Sequence, residues 1–146
     1  MPRPIRATVS AGALAHNLLV ARAYAARAKI WAVLKANAYG HGLERVARAL
    51  EGADGFAVLD FQEAARLRLA GVAQPILMLE GFFKPVDIPL LHKYSLTPVI
   101  HNAEQVEMLR LAALPGDGAR TGSSAMPQIG QLPGPTWRIC GCMGQV

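Results

Sequence analysis

The apolar positions of this chain fall into short solid runs, separated by stretches in which they recur every three or four residues. Ser10 can cap a helix in which Leu14, Leu18, Ala21 and Ala25 repeat at helical spacing. Ile30 to Leu34 follows as an unbroken apolar run, the pattern of a strand covered on both faces. Gly40 and Gly42 bracket a turn, after which Leu43, Val46, Ala47 and Leu50 form the core stripe of a second helix that Gly52 and Gly55 end. Phe56 to Leu59 reads as the next strand, and Asp60 with Glu63 three residues on is a capping-box pattern opening a helix that stops at Gly71. The alternation then repeats. Pro75 precedes apolar Ile76 to Leu79, a helical turn or two is expected over Asp87 to Tyr94, and Leu96 to Ile100 is a strand. Asn102 and Gln105 then supply a second capping pattern before Val106, Leu109 and Ala113.

Strand starts near residues 30, 56, 76 and 96 are each one βα unit apart. Four such units are half of a closed eight-unit barrel, and 146 residues fall well short of the roughly 250 that a whole one needs. An open sheet of flavodoxin type would need a fifth element where the chain becomes rich in glycine and proline. The expected fold is therefore α/β, an incomplete (β/α)8 TIM-like barrel of about four βα units over residues 1 to 114. Residues 115 to 146 hold seven of the 14 glycines, four of the ten prolines, both cysteines and three charged residues, with no sustained period, and read as an irregular tail. A four-stranded parallel sheet of this kind leaves two edges unpaired, which predicts aggregation and poor folding for an isolated half barrel.

Composition narrows the classes further. With 52% hydrophobic and 17% charged residues, the chain is core-forming rather than disordered. The formal charge of +5 is uneven: residues 1 to 48 carry eight Lys/Arg and one acid, residues 49 to 146 seven Lys/Arg and nine acids. The amino-terminal bases are dispersed with few aromatics between them, which is a solvated helix face and not a nucleic-acid stripe. Apolar runs such as Trp31 to Leu34 and Pro75 to Leu79 are far below the roughly 20 residues that span a bilayer. His16 and Asn17 interrupt the apolar stretch after Arg3 and Arg6, so no signal peptide is read and a cytoplasmic location is expected. Cys140 and Cys142, one residue apart, complete no metal site.

Candidate chemistry concentrates after the first strand. Lys35 ends the run Trp31-Ala32-Val33-Leu34, at the strand terminus where barrel active sites are built. Its bland role is a stem packed on the rim with the ammonium in water. The loop that follows, Ala36-Asn37-Ala38-Tyr39-Gly40-His41-Gly42, feeds a helix amino terminus, which suits an anionic group, and the Tyr39 hydroxyl can donate to a phosphate oxygen. A lysine facing a phosphate-sized site suggests covalent carbonyl chemistry. Free lysine is neutral only about once in 2,500 molecules at pH 7, so such chemistry benefits from partial burial or imine formation.

The segment Ala32-Val33-Leu34-Lys35-Ala36-Asn37-Ala38-Tyr39-Gly40-His41-Gly42 resembles the pyridoxal-phosphate signature of the alanine racemase family, a long and specific motif. The resemblance extends through Leu18, Gly55-Phe56-Ala57-Val58 and Glu63-Ala64 to Pro75-Ile76-Leu77-Met78-Leu79-Glu80-Gly81-Phe82-Phe83 and Leu96-Thr97-Pro98-Val99-Ile100, covering roughly residues 5 to 114 in the style of proteobacterial members. It implies an isomerase that interconverts L-alanine and D-alanine with pyridoxal 5'-phosphate, supplying D-alanine for peptidoglycan. It further implies that Lys35 bonds the cofactor and serves as base on the D-alanine face, with Tyr39 near the phosphate and Leu79 lining the cofactor pocket. His41 is open between bracing the loop and taking part in catalysis. The family pattern of an asparagine-threonine-glycine-methionine strand, an arginine near the cofactor and a second, β-rich domain bearing the opposing tyrosine base across a homodimer has no counterpart in Pro115 to Val146. The expectation is a truncated or frame-disrupted chain, inactive alone, whose dimerisation is doubtful. The alternatives are a non-catalytic pyridoxal-phosphate-binding barrel protein and an inert truncated product.

Overall fold

The computed structural model describes residues 5–113 and the strand 138–140. Helix α1 (Ala11–Ala25) starts where Ser10 Oγ accepts the Ala13 amide at 3.2 Å. After it the chain alternates as expected, with strands β1 (Ile30–Val33), β2 (Gly55–Val58), β3 (Ile76–Met78) and β4 (Leu96–Pro98). Between them lie helices α2 (Lys35–Tyr39), α3 (Leu43–Ala49), α4 (Phe61–Leu69) and α5 (Ile88–Lys93), and α6 (Ala103–Ala112) follows β4. A 3-10 turn, Pro85–Asp87, leads into α5.

All strand pairings are parallel, in the order β4-β3-β2-β1-β5. The fifth strand, β5 (Arg138–Cys140), lies within the segment read as an irregular tail and pairs with the outer edge of β1, Trp31 opposite Ile139. The rest of that segment lies outside the described residues. One of the two expected open edges is thus covered, and among the described residues β4 remains an edge.

Strand register divides the core into two layers. Ala32, Phe56, Ile76 and Leu96 stand side by side across the sheet and face the helices, where they pack with Leu43, Val46, Leu50 and Leu67. Full burial of side chains such as Phe56, Ile76, Leu43 and Leu67 contributes roughly 1.5–3 kcal/mol each, which makes this layer the main source of cohesion. The opposite row, Val33, Ala57 and Leu77, forms a smaller cluster with Trp31, and Leu79 and Val99 pack against it. Gly55 permits this inner packing, because a Cβ there would sit 2.6 Å from the Trp31 ring.

Polar groups close the amino-terminal ends of the strands. Asp54 Oδ2 accepts both the Ile30 amide, at 2.7 Å, and Arg22, at 2.5 Å, so the start of β1 is tied to the start of β2. Burial opposes the Asp54 charge, but the Ile30 amide and the Arg22 guanidinium outweigh it and hold the carboxyl below its usual pKa. Arg68, on α4, donates to the carbonyls of Val72, Gln74, Tyr94 and Ser95 at 2.8–3.0 Å, joining the segments that lead into β3 and β4.

Candidate active site at the carboxyl ends of the strands

Lys35 stands where β1 gives way to α2, two residues after Val33 of the inner cluster. It is half-buried. Among the described residues it enters none of the ion pairs, which join Arg22 to Asp54, Arg66 to Glu44 and Arg110 to Glu107.

The five residues of α2 do not form a right-handed helix. Ala36, Asn37, Ala38 and Tyr39 all have φ between +53° and +55°, and the ψ values of the first three are 44–52°, which makes this a turn of left-handed helix. For L-residues that conformation costs roughly 1–2 kcal/mol each, so the surroundings must hold it. Backbone bonds run from Ala38 N to Leu34 O at 2.8 Å, Gly40 N to Ala36 O at 3.1 Å and Gly42 N to Asn37 O at 3.0 Å. Asn37, the residue type most tolerant of this region after glycine, accepts the Leu43 amide at Oδ1, 3.0 Å away, and so fastens the turn to the first residue of α3. From α4, Glu63 Oε1 accepts the Asn37 amide at 2.7 Å. The Ala38 carbonyl faces His41 Nδ1 at 2.9 Å and also accepts the His41 amide, so His41 braces the loop. The turn buries the Ala38 methyl in the helix-side core and leaves Tyr39 38% exposed.

Lys35 and Tyr39 therefore stand at the two ends of one rigid turn. Leu79 follows β3, its amide bonded to Val58 O at 2.9 Å, and packs on the same inner cluster as Val33. His101 Nε2 lies 2.9 Å from Leu79 O and ties the exit of β4 to that of β3. A hollow of about 60 Å³ lies between α1 and the turn, lined in part by Asn17, Val33, Tyr39 and His41. It has room for water alone, since cofactor sites occupy roughly 300–1,000 Å³.

The two capping patterns in the sequence are each used differently from expectation. The Asp60 and Asn102 side chains do cap their helices, accepting the amides of Glu63 at 2.7 Å and Gln105 at 2.8 Å. The reciprocal partner in a capping box would turn back to its own cap. Glu63 instead crosses to Asn37, and Gln105 Nε2 crosses to Phe82 O at 2.7 Å while its Oε1 accepts the His101 amide. Both side chains are buried. Asn37 and Glu63 carried no expected site role, and the structure joins them at the turn. Asn37, the type that best tolerates left-handed backbone after glycine, is the one local signal that could have pointed to the turn.

This geometry can be set beside known proteins. The alanine racemase N-terminal domain family matches residues 9–121. The chain belongs to the alanine racemase family. An alanine racemase of Paraburkholderia phytofirmans is 58% identical over 114 residues, 78% of this chain and 32% of that protein. One from Burkholderia mallei is 49% identical over 154 aligned residues, spanning the whole of this chain and 43% of its own length. The solved alanine racemase of Acinetobacter baumannii superposes with a TM-score of 0.69 at 36% identity, over 71% of this chain and 31% of that one. The chain thus spans less than half the length of these relatives, and its half barrel is that of their amino-terminal portion. Among the described residues no helix is long and apolar enough to cross a membrane.

Proposed function

We propose that this chain provides the pyridoxal-phosphate-bearing side of an alanine racemase site, with Lys35 as the amine that bonds the cofactor. The observation that carries the reading is Lys35 itself. It is half-buried at the carboxyl end of β1, without an ion pair among the described residues, and opens a turn whose other four residues are held in a disfavoured conformation.

The residues present fit one side of such a group. Pyridoxal phosphate, when bound, supplies an aldehyde that condenses with amines and a ring that accepts electron density from a substrate Cα. Lys35 Nζ would hold the aldehyde carbon and, once exchanged for the substrate amine, take or return a proton at Cα. The Tyr39 hydroxyl would donate to a phosphate oxygen, and Leu79 would close the apolar side of the pocket. His41 keeps the turn in place through Ala38 rather than meeting the substrate. Alanine as substrate, D-alanine for peptidoglycan as product, a cytoplasmic setting and a homodimeric parent rest on the family membership.

The test is to mix the purified chain with pyridoxal phosphate, reduce with borohydride and map the label. A pyridoxyl group concentrated on Lys35 supports the reading. Equal labelling of Lys29, Lys84 and Lys93, or none at Lys35, overturns it.

A further inference from the structure

Glu63 presents a disparity that its place in the core does not explain. It is only 6% exposed, one carboxylate oxygen accepts the Asn37 amide at 2.7 Å, and the other, Oε2, is buried with no hydrogen-bond partner among the described residues. Gln105 occupies the same position on α6, two βα units away, and there an amide satisfies both of its polar atoms while tying its own helix to a neighbouring loop. A glutamine at residue 63 would make the same bond to Asn37 without burying a charge. Carboxylate in place of amide is costly in the interior, so what it adds must be sought in the bond it makes. A charge-assisted hydrogen bond is roughly twice as strong as a neutral one.

The recipient of that bond is the second of four consecutive non-glycine residues held at positive φ. No other βα loop among the described residues carries such a run, and Gln105 serves loops that need no comparable restraint. Resting on the proposed role of Lys35, we infer that Glu63 is a positioning residue. Its buried carboxylate keeps residues 36–39 left-handed and thereby sets Lys35 and Tyr39 at their separation across the turn. Without it the turn relaxes toward ordinary backbone and the two side chains lose their common alignment.

The experiment compares the unmodified chain with Glu63→Gln, Glu63→Leu and the double variant Glu63→Leu/Ala36→Gly. Two quantities are read: the pyridoxal phosphate concentration that half-labels Lys35 under borohydride trapping, and the hydrogen-exchange rate of the Asn37 amide. Glu63→Gln keeps an acceptor and raises the half-labelling concentration about threefold, whereas Glu63→Leu raises it about thirtyfold and exposes the Asn37 amide to exchange. Glycine at residue 36, an exposed position, removes part of the backbone penalty and recovers at least half of the lost labelling on a logarithmic scale. A merely structural loss in the core would not respond to that glycine. Unchanged labelling and exchange in Glu63→Leu, or no recovery in a double variant that still melts cooperatively, overturns the inference. If Glu63→Leu does not fold, Glu63→Gln decides, and a value equal to that of the unmodified chain counts against it. If the unmodified chain takes no label at Lys35, the functional reading fails by itself, and the Asn37 exchange rates still judge what Glu63 does to the turn.

Discussion

The two ends of the parallel sheet are built on opposite principles. At the amino-terminal ends, charged groups are saturated: Asp54 meets an amide and a guanidinium, and Arg68 is surrounded by four carbonyls. At the carboxyl ends, Lys35 has no ion pair among the described residues, Glu63 keeps an unbonded oxygen, and four residues run left-handed. Phe83, in the same region, is 70% exposed. One end uses its polar groups to hold strands together, and the other keeps backbone strain and unmatched polar atoms. In barrels of this type conservation of the former reads as stability and of the latter as catalysis.

The largest effect falls on Lys35. Lys35→Ala should abolish pyridoxal phosphate labelling at that site while changing unfolding free energy by no more than about 0.5 kcal/mol, checked by peptide mapping and urea titration together. A large stability loss would mean that the carboxyl end also serves cohesion. A related outcome concerns substrate: in D2O with pyridoxal phosphate, the chain should exchange the Cα hydrogen of D-alanine faster than that of L-alanine, and Lys35→Ala should exchange neither. Proton NMR of the two amino acids reads this directly, and equal rates would remove Lys35 as a one-sided base.

At the other end the largest effect falls on stability. Arg68→Ala strands four carbonyls and should cost about 2–4 kcal/mol in a urea titration, leaving Lys35 labelling of the folded protein unchanged. Lysine at that position cannot reproduce the planar fork and should recover little.

Acid sharpens the contrast next. Because folding lowers the Asp54 pKa below its unfolded value of 3.8, its stabilisation is whole above that value and is lost as pH falls through the folded value. Asp54→Asn should therefore flatten the acid limb of the stability profile below pH 4, and an unchanged limb would assign acid sensitivity to other carboxylates. The smallest effect belongs to Arg66→Gln. Its bond to Glu44 lies at the surface, with the Arg66 side chain 47% exposed, and its loss should shift the melting temperature least of all these changes.

Much of this was legible beforehand. The apolar runs at Ile30, Phe56, Ile76 and Leu96 marked strands, that at Ile30 as one covered on both faces, and their spacing gave the βα repeat, since burial writes its period directly into residue choice. Ser10, Asp60 and Asn102 were readable as caps because a cap acts over three residues. Lys35, Tyr39 and Leu79 were named through the resemblance alone; the fold puts Lys35 and Tyr39 in one turn and Leu79 on the adjoining cluster, and their roles rest on the proposal above. What Glu63 and Gln105 do was not readable, because their partners lie 26 and 23 residues away and the local pattern has an equally good local use. The strand at Arg138–Cys140 was hidden for the same reason, being defined by pairing with β1 and carrying no period of its own.

The order of residues alone settled which segments become strands and helices, that the sheet is parallel, and where a lone lysine meets its end, for these follow from hydrophobic period, caps and the length of one crossover. Tertiary structure decided the hand of the turn after that lysine. Left-handed backbone is disfavoured for alanine, asparagine and tyrosine taken singly, so it exists only because α3, α4 and His41 close on it together.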